Sequence, residues 1–145
     1  MNWNEIAYRV GNALDLDEVI DVYRSSGLGL RRPVEDRPCM QRMFAEASLV
    51  VSAWDGDRLV GIARTLTDFC YVAYLADLLV RAEYQKRGIG RELIRKTRDE
   101  LGAKASIVLL AAPAAEKYYP RLGFSKHPQA WMLAPEDQLA GAAND

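Results

Sequence analysis

Apolar positions along the chain change period several times, and those changes mark its elements. Ile6–Val10 alternates weakly, which predicts a first strand. Leu16, Val19, Ile20 and Tyr23 recur at helical spacing and predict a helix over about Leu16–Ser26. Asp15 or Asp17 would cap its start, and Gly27 and Gly29 would end it. Leu30–Pro38 is charged and broken by prolines, as a loop is, and Met40–Ala47 reads as a short second helix. Leu49–Trp54 then predicts a strand, Asp55-Gly56-Asp57 a hairpin turn, and Arg58–Thr67 the return strand. Gly61 within that strand points to a bulge or to close approach by another element. Val72–Val80 is nearly continuous in apolar residues, the pattern of a strand buried on both faces, with Asp77 as its single charge. Alternation would place Tyr74, Ala76 and Leu78 on one face and Leu75, Asp77 and Leu79 on the other.

From Ile89 to Leu101 the period is helical again, with Ile89, Leu93, Ile94, Thr97 and Leu101 on one face. Glu92 and Lys96 form an i,i+4 pair on the other, and Gly102 stops the helix. Ile107–Ala111 predicts another buried strand, Pro113–Leu122 a helix closed by Gly123, and Ala130–Ala134 a last strand. The succession is that of a mixed α/β sheet, one domain over residues 1–135, followed by a small, polar tail over 136–145.

The length of 145 residues suits a single hydrophobic core. With 50% hydrophobic and 27% charged residues the chain belongs with globular proteins. Lys plus Arg number 19 against 20 Asp plus Glu, a balance that argues against a protein coating nucleic acid or a membrane. No apolar run approaches the ~18–20 residues that span a bilayer. The start, MNWNEIAYRV, lacks the features of a signal peptide. Cys39 and Cys70 are too few for a disulfide framework or a zinc site. A cytoplasmic protein with no metal, no nucleic-acid partner and no membrane partner is expected. The balance is uneven, however: seven basic and two acidic residues between Arg81 and Arg98 give a local +5 and leave −6 elsewhere.

That basic stretch holds Val80-Arg-Ala-Glu-Tyr-Gln85-Lys86-Arg87-Gly88-Ile89-Gly90-Arg91, between the buried strand and the amphipathic helix. Its glycines let the backbone approach a bulky partner and leave the first helical N–H groups open. Those donors and the helix dipole make an anion site, which Lys86, Arg87 and Arg91 surround with positive charge. The functional reading is a phosphate or pyrophosphate cradle; the structural one is a turn that merely joins strand to helix. A Walker loop would need Gly-Lys followed by Ser or Thr, yet Gly90 precedes Arg91 and Glu92. A dinucleotide fingerprint would need a third glycine where Leu93 stands.

A third pattern, Gln/Arg-x-x-Gly-x-Gly/Ala, is filled at every defined position by Gln85 to Gly90. About thirty residues on, Tyr118 and Tyr119 are followed by x-x-x-Gly-Phe at Gly123 and Phe124. Together the two motifs resemble the signatures of the GNAT superfamily of N-acetyltransferases, over about Leu49 to Phe124. The resemblance implies a single-domain GNAT-like α/β fold, a mixed and mostly antiparallel sheet flanked by helices. It implies an acetyl-CoA-dependent N-acetyltransferase in which a primary amine attacks directly within a ternary complex. The acceptor would be a small-molecule amine or a protein amino group, and homodimers are common in the family.

By the same resemblance, pyrophosphate would lie on Gln85, Lys86, Arg87, Gly88, Ile89, Gly90 and Arg91. The amide-bearing arm would run beside Leu78, Leu79 and Val80 like an added strand, with a backbone N–H near Leu78 facing the thioester carbonyl. Tyr119 would be the acid that protonates the departing thiolate. Asp77 is a candidate base acting through water; the alternatives are a paired structural carboxylate and a water chain alone. Tyr74 occupies the place where some members of the family carry a carboxylate base. His127 reads as an exposed loop residue; direct transfer needs no covalent intermediate on Cys39, and Cys70, between Phe69 and Tyr71, reads as a packed small residue. Arg31, Arg32, Glu35, Asp36 and Arg37 form either a solvated loop or, by resemblance, a wall of the acceptor site, to which Phe69, Tyr71 and Trp131 would add aromatic rings. Two other functions stay open: a non-catalytic acyl-CoA sensor or scaffold, and a generic nucleotide-phosphate module.

Overall fold

A computed structural model describes residues 5–141, so the last four positions of the polar tail lie outside the described residues. The chain forms two compact units, Met1–Leu110 and Ala111–Asp145. The first holds a five-stranded sheet in the order β1 (Ala7–Val10), β2 (Leu49–Asp55), β3 (Arg58–Thr67), β4 (Val72–Val80) and β5 (Ser106–Val108). All neighbouring pairs are antiparallel except β4 and β5, which run parallel. Three helices accompany the sheet: α1 (Leu16–Ser26), α2 (Arg37–Ala45) and α3 (Ile89–Asp99). This is the mixed α/β sheet that the periodicity predicts, mostly antiparallel as the resemblance implies.

Local chemistry sets the element ends. Asp15 accepts a hydrogen bond from the Glu18 N–H at 3.1 Å and starts α1, and Gly27 closes it in the left-handed region at φ 88°. Helix α2 begins at Arg37, earlier than the apolar pattern suggests, because Asp36 caps the Cys39 N–H and Pro38 fits the first turn. A short 3-10 turn over Leu28–Arg31 occupies the start of the segment expected to be loop.

One face of the sheet carries α1 and α2, where Val19, Tyr23, Met40 and Phe44 pack with Val50, Leu59, Ile62 and Leu79. The other face carries α3, and Gly61 is the point of closest approach. A Cβ there would stand 3.1 Å from Leu93 Cδ1 and 3.3 Å from the Leu79 carbonyl. A bulge sits beside it: Ala53 opposes Gly61 but Trp54 opposes Leu59, so Val60 is the extra residue. Glu18 accepts the Leu59 N–H at 2.8 Å, which satisfies a donor beside the bulge.

A second bulge corrects the facial assignment in β4. Arg64 opposes Asp77 and Thr65 opposes Leu75, leaving Ala76 without an opposite residue. Directly opposed residues share a face, so Asp77 and Leu79 lie on the α1 side while Leu75 lies on the α3 side. Strict alternation fails because one residue is inserted. Nor is β4 evenly buried on both faces, since Val72 and Tyr74 are exposed.

The chain beyond α3 departs most from the periodicity. Strand β5 is three residues long and half-exposed, not a buried strand over Ile107–Ala111. The helix expected over Pro113–Leu122 is split into a 3-10 turn at Pro113–Ala115 and a four-residue helix, α4 (Tyr118–Arg121). Pro120 is the cause: in a continuous helix it would lack an N–H and crowd the Glu116 carbonyl, whereas a restart at Tyr118 puts it in a first turn. Ala130–Ala134 forms no strand, and Trp131 there is 95% exposed. On α3, Glu92 pairs with Arg95 instead of Lys96.

Candidate active site

The exit of β4 is fixed by Arg81, which is 4% exposed. Its Nε donates to the Leu59 carbonyl at 2.6 Å and its Nη1 to Asp21 at 2.5 Å. A 3-10 turn over Ala82–Tyr84 follows, and Tyr84 is buried with its hydroxyl donating to Asp55. The Tyr84 ring carries two guanidiniums, Arg87 at 5.1 Å and Arg58 at 5.6 Å, so Arg87 is stacked in place at the turn. Gln85 donates from Nε2 to the Val80 carbonyl at 2.9 Å and thereby ties the two ends of the turn together.

Lys86 at φ 64° and Gly88 at φ 82° both take left-handed backbone. Gly88 is the N-cap of α3 and brings no side chain to it. Helices α1 and α2 each spend an aspartate on their first N–H groups; α3 does not. Its first turn therefore presents donors and the positive end of an eleven-residue helix. Lys86, Arg87 and Arg91 stand exposed around it, while buried Ile89 anchors the helix and Gly90 lies half-buried beside it. This arrangement fits a pyrophosphate: open N–H groups, positive charge, and no side-chain cap to displace.

Parting of β4 from β5 supplies a second feature. The two strands pair only at Val72–Ser106, Ala73–Ile107 and Tyr74–Val108. On its other edge β4 stays paired with β3 as far as Val80. Leu78, Leu79 and Val80 thus present one paired edge to β3 and one edge with no strand partner among the described residues. Such an edge accepts an extended, amide-bearing ligand.

Asp77 lies in a buried ion cluster that the sequence reading did not resolve. It is 2% exposed. Its Oδ1 accepts from Arg32 Nε at 2.6 Å; its Oδ2 accepts from Arg64 Nε at 2.7 Å and from the Tyr23 hydroxyl at 2.5 Å. Burial and the adjacent carboxylate hold the Tyr23 phenol far above its ordinary pKa, so it remains a donor. Burial opposes the charge on Arg64, but Asp77 outweighs it and raises the guanidinium. Both carboxylate oxygens are engaged, which is the geometry of a paired carboxylate, one of the alternatives the sequence leaves open. The signal was a lone charge in an apolar strand, which must find partners when buried. Which partners come was hidden, because Tyr23, Arg32 and Arg64 stand on three different segments.

In the second unit, Tyr119 packs edge-on against Tyr118 at 5.3 Å and Phe124 at 5.5 Å between ring centres. The Phe124 N–H closes onto the Tyr119 carbonyl at 3.2 Å. Burial first, and the neighbouring Tyr118 second, push the Tyr119 phenol up to about 12. His127 is exposed and accepts the Gln129 N–H; both cysteines are exposed, so Cys70 is not packed as its aromatic neighbours suggest but lies on the β3–β4 hairpin tip. Of the charged loop, Arg32 binds Asp77, Arg37 binds Asp17 at 2.7 Å, and Glu35 binds Arg24 at 2.8 Å. An open depression of about 600 Å³ lies against this loop, lined by Arg24, Leu30, Arg32, Pro33, Glu35 and Asp36 among others. Phe69 and Tyr71 are exposed at the tip of the β3–β4 hairpin.

A family model described as an acetyltransferase (GNAT) domain matches residues 22–134. An uncharacterized N-acetyltransferase, ycf52-like, from Prochlorococcus marinus is 30% identical over 122 residues, 80% of this chain and 66% of that protein. The chain spans just under two thirds of this relative's length and about a third of a histone acetyltransferase from Glycine max that it also matches. Among solved structures, a GNAT-family acetyltransferase from Streptococcus pneumoniae superposes with a TM-score of 0.71 at 20% identity, covering 89% of this chain and 98% of that one. The PaiA N-acetyltransferase of Thermoplasma acidophilum, solved in complex with coenzyme A, superposes with a TM-score of 0.67 at 18% identity, covering 87% and 93%. These two share the fold.

Proposed function

The chain belongs to the GNAT acetyltransferase family, and from that premise we propose that it is an acetyl-CoA-dependent N-acetyltransferase acting on a primary amine by direct attack within a ternary complex. The observation that carries this reading is the pairing of two open features on one strand and its outlet. Among the described residues strand β4 offers an edge without a strand partner over Leu78–Val80, and it leads into the glycine turn that leaves the α3 N-terminus without a side-chain cap. A ligand with an amide-bearing arm and a pyrophosphate matches both at once. A nucleotide alone would use only the turn.

When bound, acetyl-CoA supplies the acetyl group as an activated thioester. Lys86, Arg87 and Arg91 balance its phosphate charge, and the first-turn N–H groups at Ile89, Gly90 and Arg91 donate to it. Gln85 braces the turn through Val80, and Gly88 gives the left-handed residue the turn requires. The backbone of Leu78, Leu79 and Val80 holds the arm. By its place in the motif shared with the family, Tyr119 would be the acid that returns a proton to the departing sulfur; its raised pKa keeps that proton on the phenol through the physiological range. The amine gives up its proton to water, since both oxygens of Asp77 are occupied. The loop depression beside Arg32 and Glu35 is the acceptor side, and its charges suit a polar amine.

Release of coenzyme A thiol, followed over a panel of amines, tests the reading. Amine-dependent release is expected, with Tyr119→Phe slower by about a hundredfold or more, the usual contribution of a positioned acid. Equal rates for the two proteins on one acceptor would remove Tyr119 from the mechanism. Tight coenzyme A binding without amine-dependent release would favour the sensor reading.

A further inference from the structure

Arg32 holds the one irregular point of β4. Ala76, the extra residue of the bulge, has no opposite residue in β3. Its carbonyl accepts from Arg32 Nη2 at 3.0 Å, while Arg32 Nε donates to Asp77 Oδ1 at 2.6 Å. The third nitrogen, Nη1, donates to the Arg31 carbonyl at 2.9 Å and folds the loop onto its own guanidinium. Two of the three nitrogens therefore fix the loop to the strand, 45 positions apart in sequence at Asp77, and the third ties the guanidinium to the loop itself.

Charge neutralisation does not explain this. Arg64 already pairs Asp77 inside the protein, with the Tyr23 hydroxyl beside it. Adding Arg32 leaves the cluster with two guanidiniums on one carboxylate, a surplus positive charge at a half-buried site. Desolvating a surplus charge is unfavourable, so its contribution lies elsewhere. Planar, forked donors reach a carboxylate and a neighbouring carbonyl together, which a lysine ammonium on its flexible stem does not reproduce. What the fork fixes is the bulge, and a bulge re-aims the strand beyond it. Beyond Ala76 lie Leu78, Leu79 and Val80.

We propose that Arg32 is a positioning residue for acetyl transfer: its guanidinium, bridging the Asp77 carboxylate and the Ala76 carbonyl, ties the loop walling the acceptor depression to the bulge that aims the Leu78–Val80 edge. This rests on the acetyl-transfer reading above. The acceptor side and the thioester side are thereby held in one register, so that loss of the clamp affects turnover more than cofactor affinity, which is dominated by the charged turn at residues 85–91.

The test uses the full chain with Arg32→Ala and Arg32→Lys. Steady-state kinetics with acetyl-CoA and an amine accepted by the wild type are set beside calorimetric titration of coenzyme A, thermal melting, and amide exchange over residues 76–80. Both variants are expected to lose kcat by about ten- to a hundredfold, the scale of an ångström-sized misplacement. Coenzyme A affinity should stay within about twofold, because the phosphate contacts that dominate it are untouched. Exchange at residues 76–80 should accelerate, while melting moves little because Arg64 still pairs Asp77. An unchanged kcat beside an active wild type would overturn the Arg32 assignment alone. So would full activity in Arg32→Lys, which would reduce the role to charge, and so would a loss of coenzyme A affinity equal to the loss of rate. A wild type that binds coenzyme A but transfers acetyl to no amine would overturn the acetyl-transfer reading and this inference with it; normal exchange in Arg32→Ala would overturn the clamp whatever the activity.

Discussion

A carboxylate buried beside two guanidiniums and a phenol is the counter-charge that lets Arg64 stay buried. Asp77 and Arg64 are both nearly inaccessible, and replacing the carboxylate leaves Arg64 as an uncompensated buried charge. Asp77→Asn should therefore lower the unfolding free energy by about 3–5 kcal/mol, read from urea unfolding. A loss below about 1 kcal/mol, the range of exposed pairs, would show the cluster to be solvated. Tyr119 makes a prediction of a different kind. An acid must be protonated to act, and it is protonated below its pKa; burial and Tyr118 raise that pKa to about 12. Turnover at saturating substrate should rise as the amine loses its proton and then stay level to about pH 10, since the fall that an ordinary phenol would impose near 10 is displaced upward. A decline setting in near pH 9 in the folded protein would contradict that role. Both residues stand out in the sequence, Tyr119 by motif and Asp77 as a lone charge among apolar neighbours. Only its partners show that both oxygens of Asp77 are engaged.

At the scale of elements, two glycines separate packing from conformation. Gly61 lies at ordinary strand geometry, with Leu93 and the Leu79 carbonyl where a Cβ would go. Gly61→Ala should cost about 1–3 kcal/mol by overpacking α3 against the sheet, seen as a lower melting temperature. Gly88 has open space around it but a φ of 82°, so Gly88→Ala should cost about 1–2 kcal/mol from backbone conformation alone. Because Gly88 is also the N-cap of the open α3 turn, that variant should in addition bind coenzyme A more weakly in calorimetry, and Gly61→Ala should not. Equal effects of the two on affinity would remove the turn from the cofactor site. Periodicity located β2 to β4 and α1 to α3 because each turns apolar residues to the core, whereas β1, four residues long and mostly exposed, is marked only by weak alternation. It missed the Ala76 bulge, since an inserted residue leaves an apolar strand just as apolar. It missed the break before α4, because Pro120 acts through a lost backbone donor that no apolar pattern registers. Strand β5 and the stretch around Trp131 are less regular than their pattern for a related reason: a short apolar run looks alike whether it is buried or exposed.

For the whole molecule, net charge is a poor guide and its distribution a good one. The chain carries −1, yet the segment from Arg81 to Arg98 carries +5. A small polyanion drawn to that segment should bind less tightly as salt rises, since exposed charges are screened beyond a Debye length of about 10 Å at 0.1 M. Coenzyme A affinity that ignores ionic strength would mean that Lys86, Arg87 and Arg91 do not meet its phosphates. Among the described residues no helix is long and apolar enough to cross a membrane. The GNAT family assignment rests on motifs legible in the chain itself, and the fold bears it out. The acceptor is not legible in that way, because the loop beside the depression spends most of its charges on its own partners.

The central claim, that this member transfers acetyl groups to amines, is tested most directly by measuring acetylated amine and released coenzyme A thiol in the same reaction. The account predicts that the two appear in equal amounts, depend on the amine, and fall together in Tyr119→Phe. Coenzyme A that binds tightly while neither product forms with any amine would contradict it.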